Sequence, residues 1–285
     1  MKPLESAIIG FQGEPGAFSD SVARRVFPAA RSRGFTSFDA LIAAVADGTI
    51  AAAILPCENS LHGSISRAYD LLLAYDGITI IDETEETIVQ TLVGLPGVAF
   101  EEITTVRSHP VALEQCRTFF TQESHLEVQA AHDTAGAIRE MIANGDRHVA
   151  AIGPAAAAKL YGGEILRATV NDEEPNVTRF FIVAGTVQSV KSATRFCVAL
   201  HLHHRPGSLH EALGVFAKLQ INVRSLVARP SRIRPFEYTF YIECQSSEPI
   251  AVDHFLQAFD GRAHVLGAYE KSTDTAPPTY QELDF

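Results

Sequence analysis

Along the first two-thirds of the chain, short apolar runs alternate with stretches of helical period. Residues 7–10 predict a strand, followed by a glycine-rich loop and a helix over 19–27. Residues 50–55 predict a second strand, then a polar loop and a helix through Leu71-Leu72-Leu73. Residues 104–107 lead into a helix from Pro110, and 126–131 into one from Thr134. Residues 149–152 precede a helix over 154–161 that Gly162 and Gly163 stop. A last strand covers 180–184, opened by Thr178-Arg179-Phe180. Strands alternating with helices predict α/β layers and mostly parallel sheets.

Residues 185–193 are polar and irregular and read as a linker. Beyond them the pattern changes to a strand over 195–203, the turn Arg205-Pro206-Gly207, and an amphipathic helix over 209–219. That helix is apolar at Leu209, Ala212, Leu213, Phe216 and Leu219. Strands over 221–228 and 236–244, a helix over 250–259 and a strand over 263–269 complete a βαββαβ order, the ferredoxin-like arrangement. Residues 273–285 read as a tail.

At 285 residues the chain has room for two or three domains. Its 46% hydrophobic and 20% charged residues suit packed globular cores. The net charge of −11, without a basic run, argues against nucleic acid as a partner. An anionic ligand would need local dipoles and a few arginines to hold it. No apolar stretch approaches the roughly 20 residues of a membrane span, and the first residues lack the apolar segment of a secretory leader. Cys57, Cys116, Cys197 and Cys244 form no CxxC pair. Reduced thiols in the cytoplasm are therefore expected, without a disulfide framework or a metal site.

Four loops share one design, in which a strand ends, small or hydroxyl residues turn the chain, and a helix begins. They are Gly13-Glu14-Pro15-Gly16-Ala17-Phe18-Ser19, Glu58-Asn59-Ser60-Leu61-His62-Gly63-Ser64, Ser108-His109-Pro110 and Asp133-Thr134-Ala135-Gly136. Strand ends in open α/β sheets are where ligands bind, and helix N-termini favour carboxylates. Taken singly, each loop is equally an ordinary N-cap. Asn59 is either a turn residue or a ligand contact, and a lone arginine such as Arg179 is more often a surface or ion-pair residue than a ligand contact. Gly13-x-x-Gly16 lacks the dinucleotide spacing, and neither a nucleophile elbow nor a spaced metal cluster is present.

In this order the loops resemble the prephenate dehydratase family. The matching stretches are GEPGAFS from Gly13, PCENSLHGSI from Pro56, SHPVALEQC from Ser108, DTAGA from Asp133, AAIGPAAAAKLYGG from Ala150 and NVTRFFIV from Asn176. RPGSLHEAL from Arg205 and FEYTFYIE from Phe236 resemble the family's ACT domain. The resemblance implies a catalytic domain over 1–185 built as two α/β lobes, like a type-II periplasmic binding protein, with the cleft between them. An ACT domain follows over 194–272. It also implies loss of CO2 and water from prephenate to give phenylpyruvate, with neither a metal nor an organic cofactor. Thr178 is then the catalytic residue, Arg179 a carboxylate partner, and Phe180, Glu58, Asn59, Ser60, Ser64, Ser108, Gln115 and Thr134 line the cleft.

The same resemblance implies allosteric control by L-phenylalanine, held by Gly207, Ser208, Leu209, Arg229 and Pro230, in a homodimer or homotetramer. In one place the sequence departs from the family: Val227-Ala228 stands before Arg229-Pro230 where the family has Glu-Ser. Two rivals share these features: an arogenate dehydratase, and a non-catalytic sensor made of a binding cleft and an ACT domain.

Overall fold

The computed structural model describes residues 7–173, 175–185, 190–231, 236–259 and 262–271. The expected tail, and part of the expected linker, lie outside them. The first lobe comprises β1 (Ile8–Gln12), α1 (Phe18–Val26), β2 (Arg31–Phe35), α2 (Phe38–Ala46), β3 (Ala52–Asn59), β4 (Gly63–Ser64), α3 (Ser66–Ala74) and β5 (Ile78–Thr87). The chain then crosses to a second lobe of β6 (Thr91–Gly94), β7 (Thr105–Ser108), α4 (Pro110–Glu114), α5 (Arg117–Gln122), β8 (Glu127–Ala130), α6 (Thr134–Asn144), β9 (Val149–Gly153), α7 (Ala155–Tyr161) and β10 (Glu164–Arg167). It returns on β11 (Val177–Gly185). The C-terminal unit has β12 (Ser192–His201), α8 (Ser208–Lys218), β13 (Asn222–Pro230), β14 (Tyr238–Ala251), α9 (Val252–Gln257) and β15 (Ala263–Tyr269), which is the predicted βαββαβ order.

Local chemistry accounts for the elements that carry the cleft. β3 is apolar from Ala52 to Cys57 because both of its faces are covered there. α6 starts where the Asp133 carboxylate accepts from Gly136 N at 2.6 Å and stops at Gly145, which has φ +68°. The expectation of mostly parallel sheets needs correction. β1 is parallel to β2 and β3, and β7 is parallel to β8 and β9. By contrast, β11 runs antiparallel between β3 and β5, and β6 antiparallel to β9. The return strand re-enters the first lobe from the far side, which reverses its direction. Residues 31–46 and 78–94 also supply strands and a helix that the sequence pattern left unassigned.

The C-terminal unit is built into the first lobe. One face of its sheet carries α8 and α9 over a core of Phe196, Phe216, Phe255 and Phe259. The other face brings Cys197, Ala199, Tyr241, Leu266 and Tyr269 into one core with Leu55, Tyr69, Leu72 and Phe181. The sheets join where β15 lies parallel to β5 at Gly267 and Ile80. A Cβ at position 267 would fall 2.5 Å from Ile80 Cβ, so only glycine permits this approach. A shared core should unfold as a unit. Leu266→Ala, at a side chain 2% exposed, should cost about 2–5 kcal/mol in urea unfolding. Circular dichroism and tyrosine fluorescence should report one coincident transition; two separate transitions would contradict the shared core.

Candidate active site

Between the lobes lies a cleft of about 340 Å³, within the size range of small-ligand pockets. Its lining includes Phe18 and Ser19 at the start of α1, Asn59, His62, Gln90, Gln115, Thr134, Thr178 and Phe180. Side chains alternate across a strand, so Thr178 and Phe180 of β11 face the cleft together. Asn59 is Thr178's cross-strand neighbour on β3. The Asn59 amide is fixed in orientation by its surroundings. Its oxygen accepts the backbone N–H groups of Leu61 at 3.0 Å and His62 at 3.1 Å. The nitrogen must therefore point the other way, donating to Asn176 Oδ1 at 2.7 Å and Thr178 Oγ1 at 3.0 Å. With an acceptor site of Oγ1 occupied, the Thr178 hydroxyl hydrogen is left to donate into the cleft.

The remaining walls supply positive dipoles more than positive charges. α1 starts without a side-chain cap at Ala17, and Phe18 and Ser19 bring its first turn to the cleft. Thr134 brings the first turn of α6. The first turn of α1 offers unpaired N–H groups to an anion, whereas α6 already holds the Asp133 carboxylate on Gly136 N and has its first two N–H groups left to offer. Burial lowers the pKa of His109, against the opposing pull of Asp133. Gln115 joins the walls: its amide contacts the His62 ring at 3.3 Å, and its oxygen accepts from Gln90 at 3.3 Å. Gly16 brings the lobes together. Its φ is +87°, and a Cβ there would meet Ala157 Cα at 2.8 Å.

Several residues expected in the cleft are placed elsewhere. Alternation sends Arg179 to the opposite face of β11, where it is 8% exposed. Its Nη1 donates to Glu83 at 2.8 Å and to Glu243 at 2.5 Å. Its Nη2 donates to Glu58 at 2.7 Å and to the other Glu243 oxygen at 2.9 Å. Arg179 is thus an ion-pair residue, and Glu58 is its cross-strand partner instead of a cleft wall. Ser64 pairs with Glu58 on β4 and does not line the cleft. Ser60 braces the neighbouring loop, accepting from Val177 N at 3.0 Å and donating to Pro175 O at 3.3 Å. Ser108 is fully buried and donates to Ile152 O at 2.6 Å, tying β7 to β9. The cleft gathers Asn59, Gln115, Thr134, Thr178 and Phe180 of the expected set, and adds Phe18, Ser19, His62, Gln90 and His109. His62 and His109 lie inside motifs the sequence singles out; Gln90 lies in none.

A sequence model of the family described as "Prephenate dehydratase" matches residues 9–188, and one for the ACT domain matches 198–254. The chain belongs to the prephenate dehydratase family. It is therefore a lyase-type enzyme with an ACT domain, and the sensor reading falls away. Among curated relatives, arogenate dehydratase/prephenate dehydratase 1 of Arabidopsis thaliana is 36% identical over 92% of this chain and 71% of its own. A solved structure titled as GqqA, a quorum quenching acylase, has a TM-score of 0.81 at 32% identity, covering 93% of this chain and 98% of that one. The fold is also shared with the prephenate dehydratase of Arthrobacter aurescens, solved in complex with L-Phe. That structure has a TM-score of 0.81 at 24% identity and covers 95% and 92% of the two chains.

In the C-terminal unit, Gly207 (φ +85°), Ser208 and Leu209 begin α8, and the buried Ser208 Oγ has no partner among the described residues. Arg229, expected near an effector, pairs with Asp70 of α3 at 2.9 Å. Val227 packs on the shared core, where a glutamate would bury a charge.

Glu83 has a fully buried side chain. Burial raises its pKa, but Arg224 and Arg179 outweigh burial and bring it below the ordinary 4.5. Arg179→Met should therefore cost roughly 3–5 kcal/mol in urea unfolding at pH 7, as expected when one partner of a buried ionic cluster is removed. A depressed carboxylate stabilises fully above its unfolded pKa and loses that contribution as pH falls through its folded pKa. The gap from wild type should accordingly narrow below about pH 4.5. A variant as stable as wild type would show that the cluster has no structural weight.

Proposed function

We propose that the cleft converts prephenate to phenylpyruvate. The carboxylate on the ring leaves as CO2, and the electrons of the broken C–C bond enter the ring. The ring hydroxyl departs from the opposite ring carbon as hydroxide and takes up a proton from solvent to become water. Aromatisation drives the step, so the site has to assist a leaving hydroxyl and hold two carboxylates. The observation that carries this reading is Thr178 in the cleft wall, its Oγ1 accepting from Asn59 so that its hydroxyl hydrogen stays free to donate. A threonine is too weak an acid to release its proton outright. It acts as a preorganised donor to the departing oxygen, where negative charge develops. The same geometry speaks against acyl transfer from Thr178, because a nucleophile needs an adjacent base and Asn59 gives this oxygen a donor. With Arg179 facing away, the substrate carboxylates are assigned to the first turns of α1 and α6, together with Ser19 and Thr134.

One observation supports arogenate as a second substrate. The Gln90 side-chain oxygen is buried at the cleft and has no partner among the described residues. It suits an ammonium, a donor that the keto group of prephenate lacks. Comparing kcat/KM for the two compounds, with the products identified, decides which substrate dominates. Thr178→Ala should cut kcat roughly 10²- to 10⁴-fold in a folded protein, and near-normal turnover would remove Thr178 from the chemistry.

We assign L-phenylalanine as an inhibitor acting through the C-terminal unit, with its carboxylate at the start of α8. Support comes from the unpartnered Ser208 Oγ and the uncapped α8 terminus, and from the L-Phe complex of the Arthrobacter aurescens protein. A homodimer or homotetramer and a cytoplasmic site, where buried free thiols such as Cys57 stay reduced, complete the proposal. Val227-Ala228 removes two polar groups beside Arg229-Pro230, which the family resemblance assigns to effector binding. Inhibition should therefore be about tenfold to a hundredfold weaker than with Glu-Ser restored, corresponding to a lost hydrogen bond to a charged group. An inhibition curve unmoved in a Val227→Glu, Ala228→Ser variant that keeps the wild-type urea midpoint, with Ala228→Ser alone as the second variant, would deny these positions a regulatory role.

A further inference from the structure

We propose that Glu243, contributed by the C-terminal unit, is a positioning residue for the dehydration step: it anchors Arg179 and thereby sets the place of Thr178. This rests on the dehydratase reading above. The starting point is a weakness in the sheet beside Thr178. β11 shifts register against β3 between Arg179 and Phe180, so that Arg179 faces Glu58 while Phe180 faces Pro56. Cys57 falls in the irregularity, and Pro56 has no N–H to contribute to a ladder. The Arg179 carbonyl accepts from the Cys57 thiol at 3.3 Å. On this side the backbone of β11 is less firmly tied where it carries the reacting hydroxyl.

The side chain of Arg179 supplies the missing tie. Glu243 takes both of its terminal nitrogens, at 2.5 and 2.9 Å, the bidentate geometry that fixes direction as well as distance. Glu243 is itself held by the Tyr69 hydroxyl of α3 at 2.5 Å. Around it, Arg179, Arg195 and Arg224 face Glu58, Glu83 and Glu243, with Arg224 at 2.7 Å and Arg195 at 3.9 Å from Glu83. Three guanidinium groups thus meet three carboxylates. Only Arg179, Glu58 and Glu83 come from the catalytic lobe. Without the C-terminal unit, one arginine would face two carboxylates directly behind Thr178. The catalytic strand therefore has its final geometry only while the C-terminal sheet is docked.

The test uses the full chain. Glu243→Gln keeps the shape and removes the charge. It should lower kcat about 10- to 100-fold, the cost of a misplaced group, with KM within about threefold. In a Thr178→Ala background the same change should cost less than about threefold more, because the residue it positions is gone. Amide exchange over residues 177–180 should rise, a readout independent of what the cleft turns over. If Glu243→Gln does not fold, Tyr69→Phe, which removes only the hydroxyl on Glu243, should lower kcat in the same direction by a few-fold at unchanged KM. A folded Glu243→Gln protein with kcat within twofold of wild type and unchanged exchange would overturn the proposal. So would an equal loss in the Thr178→Ala background, or an unaffected Tyr69→Phe protein where that variant decides. Wild type that turns over neither prephenate nor arogenate, with exchange still raised in Glu243→Gln, would reject the dehydratase reading and retain the anchoring.

Discussion

The organisation of this enzyme depends on the two faces of β11. Thr178 and Phe180 face the cleft, while Arg179 and Phe181 face the core shared with the C-terminal unit. Because the strand runs between β3 and β5, each residue is committed to one side. Turning Arg179 towards substrate would leave Glu83 and Glu243 buried without that counter-charge, at a cost of several kcal/mol. Catalytic geometry and domain docking are therefore set by adjacent residues of one strand.

A chain carrying a net charge of −11 still offers its cleft to an anion. Among the described residues the cleft is lined by no arginine or lysine. Helix N-termini are local and directional, so they act over the few ångströms that matter and contribute little to the long-range field. Arg179, next to Thr178 in sequence, is paired behind the sheet, where low solvent exposure strengthens its bonds to carboxylates.

Much of this was legible in the sequence. The βαββαβ order of the C-terminal unit follows its apolar period, and the loops from Gly13, Ser108 and Asp133 stand at strand-to-helix turns, while the one from Glu58 first turns back as β4 before α3 begins. Motif membership did not reveal facing. Thr178, Arg179 and Phe180 share one motif, yet the two-residue period of a strand separates the arginine from its neighbours. Glu58 and Asn59 divide in the same way. That period was readable, whereas Glu243 was not: its pairing joins residues 64 positions apart, and no local pattern reports such a distance. The strands β2, β5 and β6 escaped for a related reason, since a strand is fixed by its neighbours in the sheet more than by its own propensity.

The most direct measurement is a crystal structure of the full chain with phenylpyruvate or a non-reactive prephenate analogue in the cleft. The two-faced strand predicts the ligand ring within hydrogen-bond reach of Thr178 Oγ1, its carboxylate at the first turns of α1 and α6, and Arg179 still bound to Glu83 and Glu243. Arg179 released from those carboxylates and turned onto the ligand would contradict it.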